Sequence, residues 1–366
     1  MKKGTKIFLA VIASIIAFVL AVIIVNSIRY SVTYNKNIKN YDSEIIVPSY
    51  DFVQPWLVID WEVEDWEEHI DTLKSVGYTG IIFQYSRYTN TFYYEEDGMD
   101  SLISTDIEIA STTMMENMFK ACDNKDFKVF VGLSVDGEWW DFKKYADEEY
   151  LDKQSKIDNE MVDSLIALYG NHESFYGWYW AHELLTNIHG YEIKWAKMIN
   201  ILFAHLEEVG DTRPLMFSPF KHELLSGTPN DTYTMWRNFF SLANFRKGDI
   251  FAPQDSIGKI SDSGINKKAL AKTYYFIDAC SKAAKTNENI VFYVNCELFA
   301  TSSVFKEDLH TASFERIIDQ YKIASQFASG IITFSYSHYI APDGPNNTQK
   351  DLNEIHNSMI EWYKNN

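Results

Sequence analysis

Two glutamates follow apolar runs that are typical of buried strands, and together they could perform acid–base chemistry. Glu183 closes the run GWYWAHE, and Glu297 closes the run IVFYVNCE. A buried strand seldom ends on an acidic residue unless a polar group is needed there. Glycoside hydrolysis uses a pair of carboxyls, one to protonate the leaving oxygen and one to attack the anomeric carbon or activate water. The two glutamates can serve this chemistry only if the fold brings them together.

The alternation of elements along the chain predicts how they are positioned. Short apolar runs bounded by Gly or Pro alternate with segments of helical period, such as the one from Tyr191. The runs predict eight strands, at residues 56–61, 79–86, 128–135, 175–183, 214–220, 249–256, 289–297 and 330–337. Each precedes a candidate helix, which favours an α/β fold of the (β/α)8 TIM-barrel type. A doubly wound sheet is the alternative, but its usual glycine-rich phosphate loop is absent.

The N-terminal end of the chain predicts a membrane anchor. Residues 1–6 form a basic flank, and residues 7–25 form an uncharged apolar run. Such a run is long enough for a helix to cross about 30 Å of hydrocarbon, and no small-residue cleavage site follows it. We expect a retained single-pass transmembrane helix with its N-terminus in the cytoplasm, because basic flanks stay there. Residues 26–54 read as a linker that lifts an extracytoplasmic barrel domain, residues 55–366, off the membrane.

The charge balance excludes nucleic acid as an expected partner. The 366 residues include 33 Lys and Arg against 51 Asp and Glu, a net charge of -18. Nucleic-acid affinity depends mainly on basic groups that release counterions. The three cysteines, Cys122, Cys280 and Cys296, lack close spacing and are interpreted as buried small hydrophobes. We expect no cofactor and no metal.

The ends of the barrel strands are where substrate-binding residues are expected, because the active site of this fold forms there. Aromatic side chains can stack on sugar rings while polar side chains bind the hydroxyls. The aromatic candidates are Trp61, Tyr85, Trp140, Trp180 and Tyr336, and the polar candidates are Gln84, His182, Gln254, Asp255, Asn295 and His338. Long loops after the second strand (87–108) and the third strand (136–150) are expected to shape a cleft.

The positions of the two glutamates resemble those in a large clan of retaining glycosidases with (β/α)8 barrels, which includes cellulase-like families. In that clan the acid/base glutamate ends the fourth strand, and the nucleophile glutamate ends the seventh. The resemblance covers roughly residues 55–366 and implies that Glu183 is the acid/base and Glu297 the nucleophile. The sequence departs from the clan at His182, where an asparagine normally binds the sugar 2-hydroxyl.

Three short runs carry a closer resemblance. GWYWAHE, DIFAPQDSIG and VNCELF are similar to a bacterial barrel family long catalogued as a domain of unknown function. They also resemble the membrane-linked glycosidase that accompanies clostridial cellulose synthases. This resemblance implies an endo-acting enzyme on a β-1,4-linked glucan or related exopolysaccharide, working by double displacement, with a polysaccharide synthase complex as partner.

Other interpretations of the same residues remain open at the sequence level. Glu183 could start a helix, Glu297 could belong to a buried ion-pair network, and Asp255 could cap a turn. The whole domain could be a non-catalytic carbohydrate-binding barrel of an exopolysaccharide assembly or secretion complex, because fold does not establish function. A cell-wall amidase or deacetylase would need metal ligands, which the sequence does not offer.

Overall fold

A closed barrel of eight parallel strands forms the body of the protein. The computed structural model describes residues 3–89, 113–222, 227–260, 267–301, 309–344 and 352–366. The strands in these ranges are β1 (Tyr50–Val53), β2 (Gly80–Phe83), β3 (Arg87–Thr89), β4 (Lys128–Gly132), β5 (Ser134–Asp136), β6 (Phe175–Trp180), β7 (Leu215–Phe217), β8 (Asp249–Phe251), β9 (Ile290–Glu297), β10 (Phe299–Thr301), β11 (Leu309–Thr311) and β12 (Gly330–Phe334). The barrel order is β1-β12-β9-β8-β7-β6-β4-β2, while β3 pairs with β5 and β10 pairs with β11.

Helices follow the barrel strands in turn and cover the outside of the barrel. They are α2 (Val63–Ser75), α3 (Thr113–Lys125), α4 (Glu148–Tyr169), α5 (Glu192–Glu208), α6 (Pro229–Leu242), α7 (Lys267–Ala284), α8 (Phe314–Ser325), the short α9 (Tyr336–Tyr339) and α10 (Leu352–Asn365). Reciprocal side-chain caps start two of them, for example Thr228 with Asp231 before α6. The predicted (β/α)8 fold is confirmed. The three cysteines are buried, as predicted.

The first barrel strand lies earlier than predicted. Residues 56–61 were expected to form it, but β1 is Tyr50–Val53, and Pro55–Leu57 forms a short 3-10 helix instead. The prediction was wrong because Asp51 interrupts the apolar pattern of β1. The Asp51 carboxylate is fully buried and accepts the backbone N–H groups of Tyr336 and Ser337, both at 2.7 Å. The other seven predicted runs each contain a barrel strand.

The N-terminal segment is one long helix, α1 (Lys3–Thr33), followed by a helical turn at Tyr34–Lys39. It includes a span long and apolar enough to cross a membrane, and its side chains from residue 11 to residue 25 are exposed. The residues from Asn26 to Lys39, predicted as part of a linker, are helical and pack on α7 and α8. Of the two loops predicted to shape a cleft, the one at residues 87–108 lies mostly outside the described residues.

Candidate active site

The strand β6 and the residues after it place Glu183 at the mouth of the barrel. Alternation along an extended chain sends Tyr179 and Glu183 to one face, and Trp180 and His182 to the other. The Tyr179 ring lies 5.1 Å from the Phe52 ring of β1, across the barrel interior. The Trp180 indole N–H donates to Asp158 of α4 at 3.1 Å, on the helix side. The face that carries Glu183 therefore points into the barrel.

The Glu183 carboxyl occupies an environment that favours its neutral form. Burial raises its pKa from the ordinary value to about 7, against the opposing effects of a hydrogen bond from Gln254 and the positive charge of Lys259. The Trp139 indole N–H fixes the local backbone by donating to the Glu183 carbonyl at 3.1 Å. A carboxyl that holds a proton near neutral pH can act as a general acid.

Glu297 is the last residue of β9, the seventh barrel strand, and its carboxyl is buried. Burial and the charge of Asp255 raise the pKa of Glu297 above its usual range, and the charge of Glu183 raises it further. The backbone N–H of Gly258, which donates to Glu297 Oε2, and the charge of Arg316 work in the opposite direction. The charge of Glu183 is one of the causes that raise the pKa of Glu297, so the two carboxyls lie close enough to interact and form one candidate site.

Gly258 explains why the motif DIFAPQDSIG ends on glycine. A Cβ atom at this position would come within 2.6 Å of Glu297 Oε2 and 2.3 Å of the Phe299 ring. Only glycine lets the backbone N–H approach the carboxylate so closely. The residue was not predicted as part of the site, since a single glycine gives no signal for such an approach.

Asp255 was predicted to bind substrate, and the structure instead places it behind Glu297. Its carboxyl is 1% exposed and accepts the side-chain N–H of Gln320 at 2.5 Å and the backbone N–H of Glu297 at 3.3 Å. Burial raises its pKa to about 6. The predicted contact with sugar is therefore corrected, because Asp255 is sealed from the cleft and acts on Glu297.

Three of the polar candidates lie at the ends of barrel strands, and Gln254 among them contacts Glu183 directly. Gln254 is half-buried, hydrogen-bonds the Glu183 carboxyl, and donates to the Ser218 carbonyl at 3.2 Å. Asn295 lies two residues before Glu297 and donates to the Ser218 hydroxyl at 3.0 Å. Gln84, at the end of β2, donates to the Tyr85 hydroxyl at 2.8 Å. The side-chain oxygens of Gln84 and Asn295 are buried without a hydrogen-bond partner, and the predicted contacts of these residues with sugar stay predictions.

His338 in α9 is the clearest hydrogen-bond donor among the predicted binding residues. Its Nε2 accepts the backbone N–H of Gln54 at 3.1 Å, which places the ring proton on Nδ1. Burial, with a smaller effect from His69, lowers the pKa of His338 to about 3, so the ring is neutral. Nδ1 is buried without a hydrogen-bond partner. Asp51, which the sequence did not reveal, holds the turn that presents His338.

The aromatic candidates divide into two groups. Tyr85 stacks on the half-buried Trp56, with ring centroids 5.7 Å apart, and forms a flat surface that the sequence predicted only in part. Trp61 and Trp140 are half-buried, and Trp61 packs edge-on against Trp66 of α2. The role of Trp61, Tyr85 and Trp140 in sugar contact stays a prediction.

Trp180, His182 and Tyr336 do not reach the cleft in the structure. The Tyr336 hydroxyl lies 2.6 Å from His356 Nδ1 of α10, and its side chain is fully buried. His182 is fully buried, with its ring 4.6 Å from the Trp139 ring and its Nε2 3.3 Å from Asp158 Oδ2. Their predicted sugar contacts are corrected, because strand alternation and the short helix turn direct them into the helix layer.

No group of three or more His, Cys, Asp or Glu residues in the described ranges is placed to hold a metal ion. Carboxyl acid–base and nucleophilic catalysis requires a second ionisable group near the first. Glu183 and Glu297 meet this requirement.

Comparison with known proteins supports the fold. The family model described as Domain of unknown function (DUF4434) matches residues 51–349, so the match begins within β1. No curated protein matches the chain in sequence. A candidate alpha-L-fucosidase from Bacteroides thetaiotaomicron is 16% identical with a TM-score of 0.66, covering 88% of this chain and 99% of that one.

Two larger enzymes share the barrel in part of their length. A beta-galactosidase from Marinomonas ef1 is 8% identical with a TM-score of 0.53, covering 87% of this chain and 59% of that one. A beta-glucuronidase from Ruminococcus gnavus is 11% identical with a TM-score of 0.52, covering 87% of this chain and 50% of that one. At these identities the similarity shows the (β/α)8 fold.

Proposed function

We propose that this chain, which belongs to the family described as Domain of unknown function (DUF4434), is a membrane-anchored, extracytoplasmic glycoside hydrolase. The observation that carries the proposal is the pair of glutamates at the ends of the fourth and seventh barrel strands, in one site and with raised pKa values. We assign an endo-acting, retaining mechanism on a β-1,4-linked glucan or related exopolysaccharide. The similarity of this fold to those of solved glycosidases supports glycosidase activity. The glycan and the linkage are taken from the resemblance of the sequence motifs.

Glu297 attacks the anomeric carbon, and the bond to the departing sugar oxygen breaks as Glu183 gives that oxygen its proton. The Gly258 N–H and the charge of Arg316 stabilise the carboxylate form of Glu297 before the attack. In the second step Glu183 takes a proton from water, and the water oxygen attacks the same carbon. The bond between this carbon and the Glu297 oxygen breaks as the water attacks, and the two successive inversions give overall retention of configuration.

The N-terminal segment supports the proposed membrane anchor, while the proposed partner comes from the resemblance of the sequence motifs. The apolar part of α1 would lie in the cell membrane, with the preceding lysines in the cytoplasm and the barrel outside. This location would bring the barrel close to a polysaccharide synthase or export complex. The proposed substrate is a polysaccharide. Nucleic acid is not proposed as a partner.

Hydrolysis of soluble β-1,4-glucan by the full chain in detergent micelles is the direct test. We expect new reducing ends, and NMR of the first products should show the β-anomer before mutarotation. Initial release of the α-anomer would exclude double displacement. Binding of glucan without hydrolysis, across a panel of β-glucans, would support the carbohydrate-binding barrel instead.

The pH dependence should report the two raised pKa values. Catalysis needs one protonated and one ionised glutamate. Because burial raises the pKa of Glu183 to about 7 and that of Glu297 above its ordinary range, both are protonated in weak acid. We expect kcat/KM to increase towards neutral pH, reach its maximum near or above neutrality, and decrease in stronger alkali. A maximum in the weakly acidic range would contradict the assigned environments.

The Asp255→Asn variant tests whether the charge of Asp255 raises the pKa of Glu297. Removing the Asp255 charge removes one cause of the raised Glu297 pKa, so the ascending limb of the kcat/KM profile should move to lower pH. Asp249→Asn is the matched control, because Asp249 is a buried aspartate at the opposite end of β8, paired with Arg246. It should leave the profile in place even if stability decreases. Equal shifts in both variants would show that Asp255 has only a structural role.

A further inference from the structure

The end of α1 packs on the barrel along a single stripe of side chains. Asn26, Tyr30, Thr33, Tyr34 and Asn37 are buried or half-buried, whereas residues 11–25 are exposed. Spacings of three and four residues place the stripe on one helix face. Contact with the barrel therefore begins one residue after the apolar run ends, which leaves no flexible spacer between the two.

Specific polar contacts fix this stripe to α7 and α8. The Arg29 guanidinium lies 4.2 Å over the Tyr275 ring, and its Nε donates to the Tyr275 hydroxyl at 3.1 Å. The Thr33 hydroxyl lies 2.6 Å from the same oxygen. The Tyr34 hydroxyl donates to the Asp319 carboxylate of α8 at 2.9 Å. These contacts to two different helices, of which the Tyr34–Asp319 hydrogen bond is buried, define one orientation of α1 against the barrel.

The contacts also give the direction in which α1 runs. In this fold each helix starts at the carboxyl end of the preceding strand, so α8 runs from the catalytic face to the opposite face. Tyr34 contacts Asp319 inside α8, and the Asn37 carbonyl accepts the Gln326 side chain, just past the end of α8, at 2.8 Å. From Tyr34 to Asn37 the chain thus moves away from the catalytic face. The preceding part of α1 extends towards that face.

The contact at the start of α7 places the end of the apolar run. The Lys267 ammonium, at the start of α7, lies 5.4 Å from the centre of the Tyr34 ring. Nine residues of helix, from Tyr34 back to Val25, rise about 14 Å. The apolar run therefore ends on the catalytic side of the contact between Tyr34 and Lys267. Leu309 is 40% exposed on β11, which pairs with β10 just after the carboxyl end of β9 and so marks the same side of the barrel.

We propose that the docked helix holds the barrel directly on the bilayer with its catalytic face towards the lipid surface. The enzyme then cleaves a glycan chain that is held at that surface, in preference to polymer in the surrounding medium. This inference rests on the proposed function, from which it takes the membrane anchor and the glycosidase activity. It adds the location of the substrate.

Fluorescence quenching tests the orientation without any need for activity. Leu309→Cys at the catalytic rim and Glu288→Cys in the loop after α7, at the opposite face, are labelled in the full chain and reconstituted into liposomes that carry a headgroup quencher. The native cysteines are buried, which favours labelling of the introduced thiols. We expect quenching to be several-fold stronger at position 309 than at position 288. Equal quenching at both positions, or the reverse order, overturns the proposal.

A spacer variant tests the consequence for substrate. Rates are compared on soluble and on lipid-tethered cello-oligosaccharides in the same liposomes, and the native chain should favour the tethered form by on the order of tenfold. Inserting a flexible Gly–Ser spacer between Val25 and Asn26 should reduce this preference and leave the soluble rate unchanged. A higher tethered rate in the spacer variant would contradict the proposal. Absence of hydrolysis on both substrates would contradict the proposed activity on β-1,4-glucan, while the quenching result would still decide the orientation.

Discussion

The Glu297→Gln variant should lose hydrolytic activity by about 10⁴-fold or more, because Glu297 is the assigned nucleophile and an amide cannot form the glycosyl-enzyme ester. Glutamine keeps the volume of the side chain and an oxygen that can accept the Gly258 N–H, so the fold should be preserved. Initial rates on soluble β-1,4-glucan measure the loss. Mass spectrometry after treatment with an activated fluoroglycoside should show one covalent adduct on the native peptide that contains Glu297, and none on the variant.

The same substitution should stabilise the protein at alkaline pH. The folded-state pKa of Glu297 is raised, so its contribution to stability is complete in acid and is lost as pH rises through the folded pKa. Glutamine cannot ionise and avoids this loss. The Tm of the variant should exceed that of the native protein in weak alkali by more than it does in acid.

Unchanged activity in the variant would disprove the nucleophile assignment.

A second buried glutamate provides the control for Glu297. Glu192 starts α5, is buried, and accepts the Gly190 N–H at 2.5 Å. The Glu192→Gln variant replaces an acid by the same amide outside the pair of catalytic glutamates. It should retain activity, which would show that the loss in the first variant comes from the position of the carboxylate.

The Glu183→Gln variant should lose about 10² to 10⁴ in kcat/KM on glucan, the usual contribution of a general acid and base. The loss in the first step should be much smaller on aryl glycosides with acidic phenol leaving groups, because these need no protonation. Added azide should restore turnover by attacking the glycosyl-enzyme without base assistance, which gives a β-glycosyl azide. These readouts separate a lost proton donor from general damage to the site.

Glu138→Gln is the matched control, since Glu138 lies on the loop after β5 and pairs with Lys144 at 3.0 Å. It should remain active on both substrate classes. Equal losses on glucan and on activated aryl glycosides in the Glu183 variant, with no effect of azide, would count against Glu183 as the acid/base.

The barrel and the positions of the two glutamates could be predicted from sequence because they depend on local patterns. Seven of the eight predicted runs contain a barrel strand, since a strand buried on both faces is a continuous apolar run. Once the strands are counted, the carboxyl ends of the fourth and seventh are fixed in the ring. The first strand was not predicted because the hydrogen-bond partners of Asp51 lie in residues 333–337, more than 280 residues away in the chain.

The sequence by itself determined the fold class, the apolar N-terminal run and the two strand ends that carry acids, because each is encoded by neighbouring residues. Only the tertiary structure decided which side chains share the cleft. Strand alternation separates Glu183 from Trp180 and His182, but the barrel decides which face is inside. The approach of Gly258 to Glu297, the burial of Asp255 and the docking of α1 on α7 and α8 join residues far apart in the chain. No local pattern encodes such contacts, since they exist only after the barrel has closed.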